Sequence, residues 1–202
     1  MYLTQNPAER LPNLLKLLVT ENRGNYRVTP QQGCPRLPSS IQLREYQKLA
    51  VANWFGNSGR GTLKMATGSG KTITALAIAL ELYQKIGLQV LLVVCPYRHL
   101  VSQWARESEK FGLFPVLAFE SVTGWQSQLS TQLYNVRAGN QAFVTVITTN
   151  STLMGEGLQS QLKYFPEKTL IVGDEAHNLG APKLEQSLPR NIGLRLGLSA
   201  TP

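Results

Sequence analysis

The chain has 202 residues, of which 43% are hydrophobic, and it carries a formal net charge of +8 with only two cysteines. This hydrophobic fraction suffices for a sizeable core, so we expect one large domain with a short lead-in. Cys34 and Cys95 stand far apart and outside any Cys/His cluster, which argues against a zinc site or a disulfide framework. The apolar stretches are too short to cross a bilayer and the N-terminus lacks a secretion signal, so we expect a soluble, cytoplasmic protein.

The positive charge is unevenly distributed along the chain. Residues 1–75 contain 10 Lys and Arg residues against 3 Glu residues, whereas residues 76–202 contain 10 against 9 acidic residues. Such an excess attracts polyanions at long range, but a solvated basic surface would have the same composition. Charge alone therefore leaves nucleic-acid binding open.

Residues 1–40 are predicted to form an N-terminal extension and linker, and residues 41–202 are predicted to form one domain. The extension contains a short amphipathic stretch at Pro12 to Thr20, and three prolines between Pro30 and Ser40 indicate the linker. The domain opens on a helix pattern over Leu43 to Phe55. The predicted buried face of this helix consists of Leu43, Tyr46, Ala50 and Trp54.

A glycine-rich segment, Met65 to Thr72, lies between a strand-like run, Gly61 to Met65, and a helix-like run, Ile73 to Ile86. A strand that turns through glycines into a helix directs consecutive backbone N–H groups at one point, which suits a triphosphate. The strict phosphate-loop pattern has a glycine where Met65 stands, and the alternative is a surface turn that happens to precede a helix. The predicted nucleotide-binding residues of the loop are Thr67, Gly68, Ser69, Gly70, Lys71 and Thr72.

The chemistry of two loop residues is specific. The Lys71 ammonium can reach the β- and γ-phosphates, and the Thr72 hydroxyl can ligate Mg²⁺. The loop therefore predicts ATP and Mg²⁺ as ligands.

Apolar strands and helical segments alternate after the loop. Continuous Val, Leu and Ile strands between helices are typical of an α/β domain in which helices cover both faces of a parallel sheet, with ligands at the carboxyl ends of the strands. Helices are predicted at residues 98–111, 124–138 and 151–164. Strands are predicted at Val90 to Cys95, Val116 to Phe119, Phe143 to Thr148, Leu170 to Gly173 and Leu194 to Leu198.

Two adjacent carboxylates, Asp174 and Glu175, follow the apolar strand that ends at Gly173, and Asp174 is the only aspartate in the chain. A phosphate-loop enzyme needs one carboxylate for Mg²⁺ and another that orients or deprotonates the attacking water. Asp174 is predicted to hold the metal and Glu175 to act on the water. The alternative is an Asp-Glu pair that caps a helix.

Three strings resemble motifs I, II and III of superfamily-two helicases and translocases with a DEAH motif II. They are Ala66 to Thr72, Asp174 to His177 and Leu196 to Pro202. Leu43 to Gln47 is similar to the adenine-recognition motif of that family, Pro96 to Trp104 to its motif Ia, and Ile147 to Asn150 to a nucleic-acid contact motif. The resemblance covers residues 41–202, is closest to restriction-enzyme motor subunits and DNA repair translocases, and implies a RecA-like fold.

The resemblance implies a role for each matching residue. Gln47 and Arg44 would recognise adenine, and Lys71, Asp174, Glu175 and His177 would form the catalytic set, with Thr72 and Asp174 on the metal. His177, Ser199 and Thr201 would couple the ATP site to the nucleic-acid site. The residues implied to contact nucleic acid are Tyr97, Arg98, Gln103, Thr148 and Thr149.

The leading functional interpretation is the first motor lobe of an ATP-dependent DNA helicase or translocase. The resembled engine has two lobes, so we expect a second lobe as partner, a nuclease or methylase as a possible further partner, and near-inactivity of this lobe alone. An RNA helicase lobe is an alternative, since DEAH motifs occur in both groups. A noncatalytic, ATP-responsive binding module is a second alternative, which the intact Lys71, Thr72, Asp174 and Glu175 disfavour.

Overall fold

The computed structural model describes residues 33–176 and 186–200. The predicted amphipathic stretch at Pro12 to Thr20, and the site residues His177 and Thr201, lie outside the described residues. Within the described ranges, no helix is long and apolar enough to cross a membrane.

Six strands and six helices alternate along the described part of the chain, close to the predicted positions. The helices are α1 (Glu45–Gly56), α2 (Lys71–Ile86), α3 (Arg98–Lys110), α4 (Val122–Arg137), α5 (Asn150–Met154) and α6 (Glu156–Leu162). The strands are β1 (Arg60–Lys64), β2 (Val90–Cys95), β3 (Val116–Ala118), β4 (Val144–Thr149), β5 (Thr169–Gly173) and β6 (Leu194–Ser199).

All strand pairs of the sheet are parallel, in the order β1-β6-β5-β2-β4-β3. Alternate side chains of β2 enter two different cores: Leu91 and Val93 pack with Trp104 of α3, whereas Leu92 and Val94 pack with Trp125 of α4. Side chains that alternate between two covered faces explain why β2 is apolar throughout. The predicted parallel α/β sheet is confirmed.

Helix α1 turns a different face to the core than the pattern predicts. Tyr46 is 43% exposed, whereas its neighbour Gln47 is buried together with Trp54 and Phe55. The predicted buried position of Tyr46 is therefore wrong by one residue. A hydrophobicity pattern places glutamine at the surface. Gln47 is buried instead because its side-chain amide has hydrogen-bond partners inside the fold.

The single helix predicted at 151–164 is two helices, α5 and α6. Gly155 separates them with an extended backbone (φ −77°, ψ 148°), and it is both the residue that ends α5 and the residue that precedes α6. A Cβ at Gly155 would lie 3.3 Å from the carbonyl oxygen of Thr152, so the tight junction favours glycine.

The described end of the predicted linker packs against the domain. Cys34 is buried in the same core as Tyr83 of α2, and the Arg36 N–H donates to the carbonyl of Phe111 at 2.9 Å. Burial and the neighbouring Cys34 thiol raise the pKa of the Tyr83 hydroxyl above its ordinary value. The domain boundary at residue 40 stays a prediction.

Candidate nucleotide and nucleic-acid site

The glycine-rich loop joins β1 to α2 at the carboxyl edge of the sheet. Gly68 and Gly70 have φ values of +77° and +87°, which an L side chain rarely adopts. The Ser69 N–H and hydroxyl both turn back onto the carbonyl of Ala66, at 3.2 and 2.6 Å. Gly70 precedes α2, so the N–H groups at the start of that helix come before its first internal hydrogen bond and can meet an anion.

The start of α1 is fixed against this loop. The side-chain oxygen of Gln47, Oε1, accepts from the Arg44 N–H at 2.9 Å, and the side-chain nitrogen Nε2 donates to the carbonyl oxygens of Ser69 and Gly70, both at 3.4 Å. A Cβ on Gly70 would come within 2.6 Å of that nitrogen. The amide of Gln47 thus holds the loop, and its contact with adenine stays a prediction.

Tyr46 is a loop contact that sequence reasoning missed. Its hydroxyl donates to the Ser69 carbonyl at 2.7 Å and accepts from the Arg44 guanidinium at 3.1 Å. Tyr46 therefore links the loop to Arg44, the residue that is predicted to recognise adenine. No spacing rule pairs residues 46 and 69, because their contact arises only when α1 packs beside the loop.

Lys71 and Ser199 meet the same loop residue from two sides. The Lys71 ammonium donates to the Met65 carbonyl at 3.2 Å, and the Met65 N–H donates to the Ser199 carbonyl at 3.0 Å. Ser199 is 6% exposed and ends β6, whose neighbours are β1 on one side and β5 on the other. The predicted coupling residue thus lies between the loop and the strand that carries the carboxylates.

Asp174 is held by three hydrogen bonds at the end of β5. Its N–H donates to the Val94 carbonyl at 2.9 Å, and its two carboxylate oxygens accept from the Glu175 N–H at 2.9 Å and from the Trp104 indole at 2.8 Å. The side chain is 8% exposed. Burial, and then the nearby Asp174 charge, raise the pKa of the Cys95 thiol well above its usual range, so Cys95 stays neutral.

The chain turns sharply after Asp174 and passes close to β6. Glu175 has a φ of +47°, which is uncommon for a residue with a side chain. Gly197 of β6 makes room for the next residue, because a Cβ there would lie 3.0 Å from the Cβ of Ala176 and 2.7 Å from the hydroxyl of Thr62. Glycine at position 197 therefore lets the carboxylate segment and β1 both approach β6.

These residues fit ATP·Mg²⁺. The glycines and the start of α2 suit phosphate oxygens, Lys71 supplies a cation, and Thr72 and Asp174 supply the hard oxygen ligands that Mg²⁺ prefers. The loop, Ser199 and the carboxylates stand at the carboxyl ends of three neighbouring strands, β1, β6 and β5.

Two of the predicted nucleic-acid residues stand at the start of α3. Tyr97 precedes the helix, is 56% exposed and stacks on the ring of His99, with 5.6 Å between ring centroids. The Arg98 guanidinium lies 3.4 Å from the Glu120 carboxylate in an exposed ion pair. Such a pair contributes little stability, so Arg98 can exchange this partner for a phosphate. Gln103 is also exposed.

The two predicted threonines have structural partners. Thr148 is completely buried, and its hydroxyl donates to the Ala118 carbonyl of β3 at 2.7 Å, so we leave it out of the nucleic-acid surface. The Thr149 hydroxyl caps α5 by accepting from the Thr152 N–H at 3.2 Å, and it lies 3.0 Å from the Ser151 hydroxyl.

A cavity of about 800 Å³ opens beside these residues. Arg98 and Glu120 line one side of it, and Thr149, Ser151 and Thr152 line another. It lies at the carboxyl ends of β2, β4 and β3, which form the same edge of the sheet as the carboxyl ends of β1 and β5, where the loop and the carboxylates stand. Glu120, Ser151 and Thr152 were missed because no motif in the sequence contains them.

Residues 40–202 match the family described as "Type III restriction enzyme, res subunit". The chain belongs to this family. Two of its relatives, each 32% identical, are named "Putative helicase 055L" (Frog virus 3) and "Putative DNA 3'-5' helicase Rad25" (Halobacterium salinarum), and the predicted membership of superfamily two is confirmed.

One relative and two solved structures illustrate the similarity. The "SWI/SNF-related matrix-associated actin-dependent regulator of chromatin subfamily A containing DEAD/H box 1" of Bos taurus is 26% identical over 204 residues, which cover 98% of this chain and 20% of the relative. The Sulfolobus solfataricus SWI2/SNF2 ATPase core in complex with dsDNA has a TM-score of 0.62 and 24% identity, over 86% of this chain and 35% of that one.

The second structure is a nuclease-deletion mutant of the Type ISP restriction-modification enzyme LlaGI in complex with a DNA substrate mimic. It has a TM-score of 0.64 and 24% identity, over 80% of this chain and 18% of that one. At these identities the two structures establish the shared fold. The chain therefore spans about a fifth of the length of the Bos taurus relative and of LlaGI.

Proposed function

We propose that residues 41–202 are the ATP-binding lobe of a DNA helicase or translocase, which couples ATP hydrolysis to movement along nucleic acid. The observation that carries the proposal is that the phosphate loop and the Asp174–Glu175 pair follow β1 and β5 at the same edge of the sheet. Strand β6 lies between them, and its Ser199 carbonyl accepts from the Met65 N–H of the loop. Family membership supports the same activity.

The loop and its lysine bind the nucleotide in this proposal. The N–H groups at the start of α2 receive phosphate oxygens, and the Lys71 ammonium exchanges the Met65 carbonyl for the β- and γ-phosphates. Thr72 and Asp174 would hold Mg²⁺, which would neutralise phosphate charge when bound.

Glu175 acts on the attacking water. Its carboxylate would accept a proton from the water as the water oxygen attacks the γ-phosphorus. The bond from that phosphorus to the β–γ bridging oxygen breaks at the same time, so that ADP and inorganic phosphate leave. Glu175 follows the end of β5 and has a positive φ. His177 and Ser199 couple this site to nucleic acid, and Gln47 with Arg44 recognises adenine.

DNA is the proposed substrate because the two similar solved structures are DNA complexes by their titles. The strand would pass over the 800 Å³ cavity, which Arg98 and Thr149 line. Tyr97 and Gln103, both exposed, would supply further contacts. A second motor lobe, a nuclease or methylase partner and a cytoplasmic location belong to the same proposal. An RNA substrate remains the alternative outcome of the binding test below.

Lys71→Ala is expected to remove most ATP·Mg²⁺ binding, because it deletes the cation that faces the β- and γ-phosphates. Isothermal calorimetry on the two proteins measures the loss. Lys85→Ala is the matched control, since Lys85 lies near the other end of α2 and pairs with Glu81 at 3.3 Å. Equal ATP affinity of the wild type and Lys71→Ala would overturn the assignment of the loop lysine.

Single-stranded DNA is expected to bind this lobe weakly, with little sequence preference and a marked loss of affinity as salt rises, because half of a backbone-tracking groove is present. Fluorescence anisotropy with labelled DNA and RNA strands at several salt concentrations measures it. Arg98→Ala should lower the slope of log affinity against log salt by about 0.7, the value for one phosphate contact on a single strand.

Arg106→Ala is the control for that substitution, because Arg106 is exposed on the same helix, two turns further along. Tight, sequence-specific and salt-insensitive binding would contradict the proposed groove. A clear preference for RNA would move the assignment to the RNA helicases.

A further inference from the structure

Trp104 connects two parts of the site that are 70 residues apart in the chain. The residue lies on α3, is 1% exposed, and its indole N–H donates to a carboxylate oxygen of Asp174 at 2.8 Å. Among the described residues, it is the side chain that donates to Asp174. The motif reasoning that singled out Asp174 assigned no role to this tryptophan.

The hydrogen bond constrains the orientation of the carboxylate. An indole N–H can only donate, and the ring of Trp104 is fixed by the core around Leu91 and Val93. The other carboxylate oxygen of Asp174 accepts from the Glu175 N–H, so both oxygens have one fixed donor each. Each oxygen keeps a further lone pair, which leaves the carboxylate able to bind a cation.

The position of Trp104 on α3 has a second consequence. This helix begins at Arg98, beside the exposed Tyr97, and Trp104 follows six residues later, about 9 Å along the axis. Two of the proposed strand contacts, Arg98 and Gln103, and the donor to Asp174 therefore belong to one rigid helix.

We propose that Trp104 is a positioning residue, which holds the Asp174 carboxylate in the orientation that binds Mg²⁺. The inference rests on the proposed function, because that proposal gives Asp174 its metal. Loss of a hydrogen-bond donor that orients a metal ligand typically lowers metal affinity about 10- to 100-fold.

Trp104→Phe tests the proposal because it removes the N–H and keeps an aromatic ring in the core. Titration with Mg²⁺ at fixed ATP, followed by calorimetry, should show an apparent Mg²⁺ affinity at least about 10-fold weaker than in the wild type. ATP binding without Mg²⁺ should not change. Trp54→Phe is the matched control, since it also removes a buried indole donor, to the Arg195 carbonyl at 3.2 Å, away from Asp174.

The indole N–H resonances give a second readout, which is recorded on the wild-type protein once the signals are assigned. The chain has three tryptophans, and the two Phe variants assign the signals of Trp54 and Trp104 in a ¹H–¹⁵N spectrum. Asp174→Asn should shift the Trp104 signal without nucleotide, and Mg²⁺ with ATP should shift it in the wild type while the Trp54 signal stays in place. If the Trp104→Phe variant is unfolded at room temperature, benzothienylalanine at position 104 is used instead. This side chain also lacks the N–H, and its shape is closer to that of tryptophan than the shape of phenylalanine is.

The outcomes separate the two proposals. If the wild type binds ATP with Mg²⁺ and Trp104→Phe shows the same Mg²⁺ dependence, the role of Trp104 is overturned and the proposed function stands. If the wild type shows no binding that depends on Mg²⁺, the proposed function fails and the role of Trp104 falls with it. An equal loss in Trp54→Phe and Trp104→Phe would assign the effect to general destabilisation and would also overturn the positioning role.

Discussion

Residues 1–202 alone are expected to hydrolyse ATP about 10³- to 10⁵-fold more slowly than the same lobe joined to a second motor lobe and bound to DNA. Negative charge builds on the equatorial oxygens of the transferred phosphoryl group, and in related enzymes an arginine from across the site stabilises it. In the part of the chain that the structure describes, the lobe supplies the glycine-rich loop and both carboxylates, and we expect the stabilising arginine to come from the second lobe.

The arginines near the motifs have other partners. Arg44 donates to the Tyr46 hydroxyl beside the loop. The Arg195 guanidinium donates to the Pro189 and Ile192 carbonyls, on the side of β6 where the strand begins, which is opposite the nucleotide edge. Neither side chain is directed across the nucleotide site.

DNA is also expected to give this lobe little stimulation, because a strand acts in a two-lobed motor by closing the lobes over the nucleotide. Phosphate release from residues 1–202, with and without single-stranded DNA, is compared with release from the full-length protein. A rate for the lobe that equals the DNA-stimulated rate of the full-length protein would place the complete catalytic machinery within these residues.

Glu175→Gln in the full-length protein is expected to keep ATP affinity and to lower turnover about 10²- to 10⁴-fold, because the amide has a similar shape but is a very poor base. Calorimetry measures the affinity, and steady-state phosphate release with and without DNA measures the turnover. A binding defect would point to folding or metal loss, whereas a pure loss of turnover identifies the residue that takes the proton.

Glu81→Gln is the control for this substitution. Glu81 lies on α2, is paired with Lys85 and is 41% exposed in its side chain, so its charge is chemically matched but distant from the carboxylate pair. We expect near-normal turnover from Glu81→Gln. Near-normal turnover from Glu175→Gln would move the water-activating role to another group.

The parallel sheet and the glycine-rich turn between β1 and α2 were predictable because their signals are local. Apolar strands such as Val90 to Cys95 are continuous in the sequence since both faces are covered, and helices separate them at regular intervals. The loop needs glycines at 68 and 70 for backbone angles that few other residues adopt. The Asp174–Glu175 pair was predictable for the same reason, because two charges at the end of an apolar strand stand out.

Side-chain partners over long distances were not predictable. Thr148 and Thr149 at the end of β4 are chemically identical, so the sequence does not distinguish their partners. In the fold, the Thr148 hydroxyl donates to the carbonyl of Ala118 in β3, 30 residues away. The helix pattern of α1 predicts a buried Tyr46, but Tyr46 is exposed and its hydroxyl donates to the Ser69 carbonyl of the loop. In each case a hydrogen bond to a distant backbone carbonyl decides the environment.

What the sequence by itself determined is the chemistry present at each strand end: a glycine-rich loop at residues 65–72, a carboxylate pair at Asp174 and Glu175, and a hydroxyl at Ser199. What only the tertiary structure decided is which of these groups touch. The order β1-β6-β5-β2 brings Ser199 between the loop and the carboxylates and brings Trp104 onto Asp174. Strand order depends on packing across the whole domain, because residues that are adjacent in the sheet are up to about 135 positions apart in the chain.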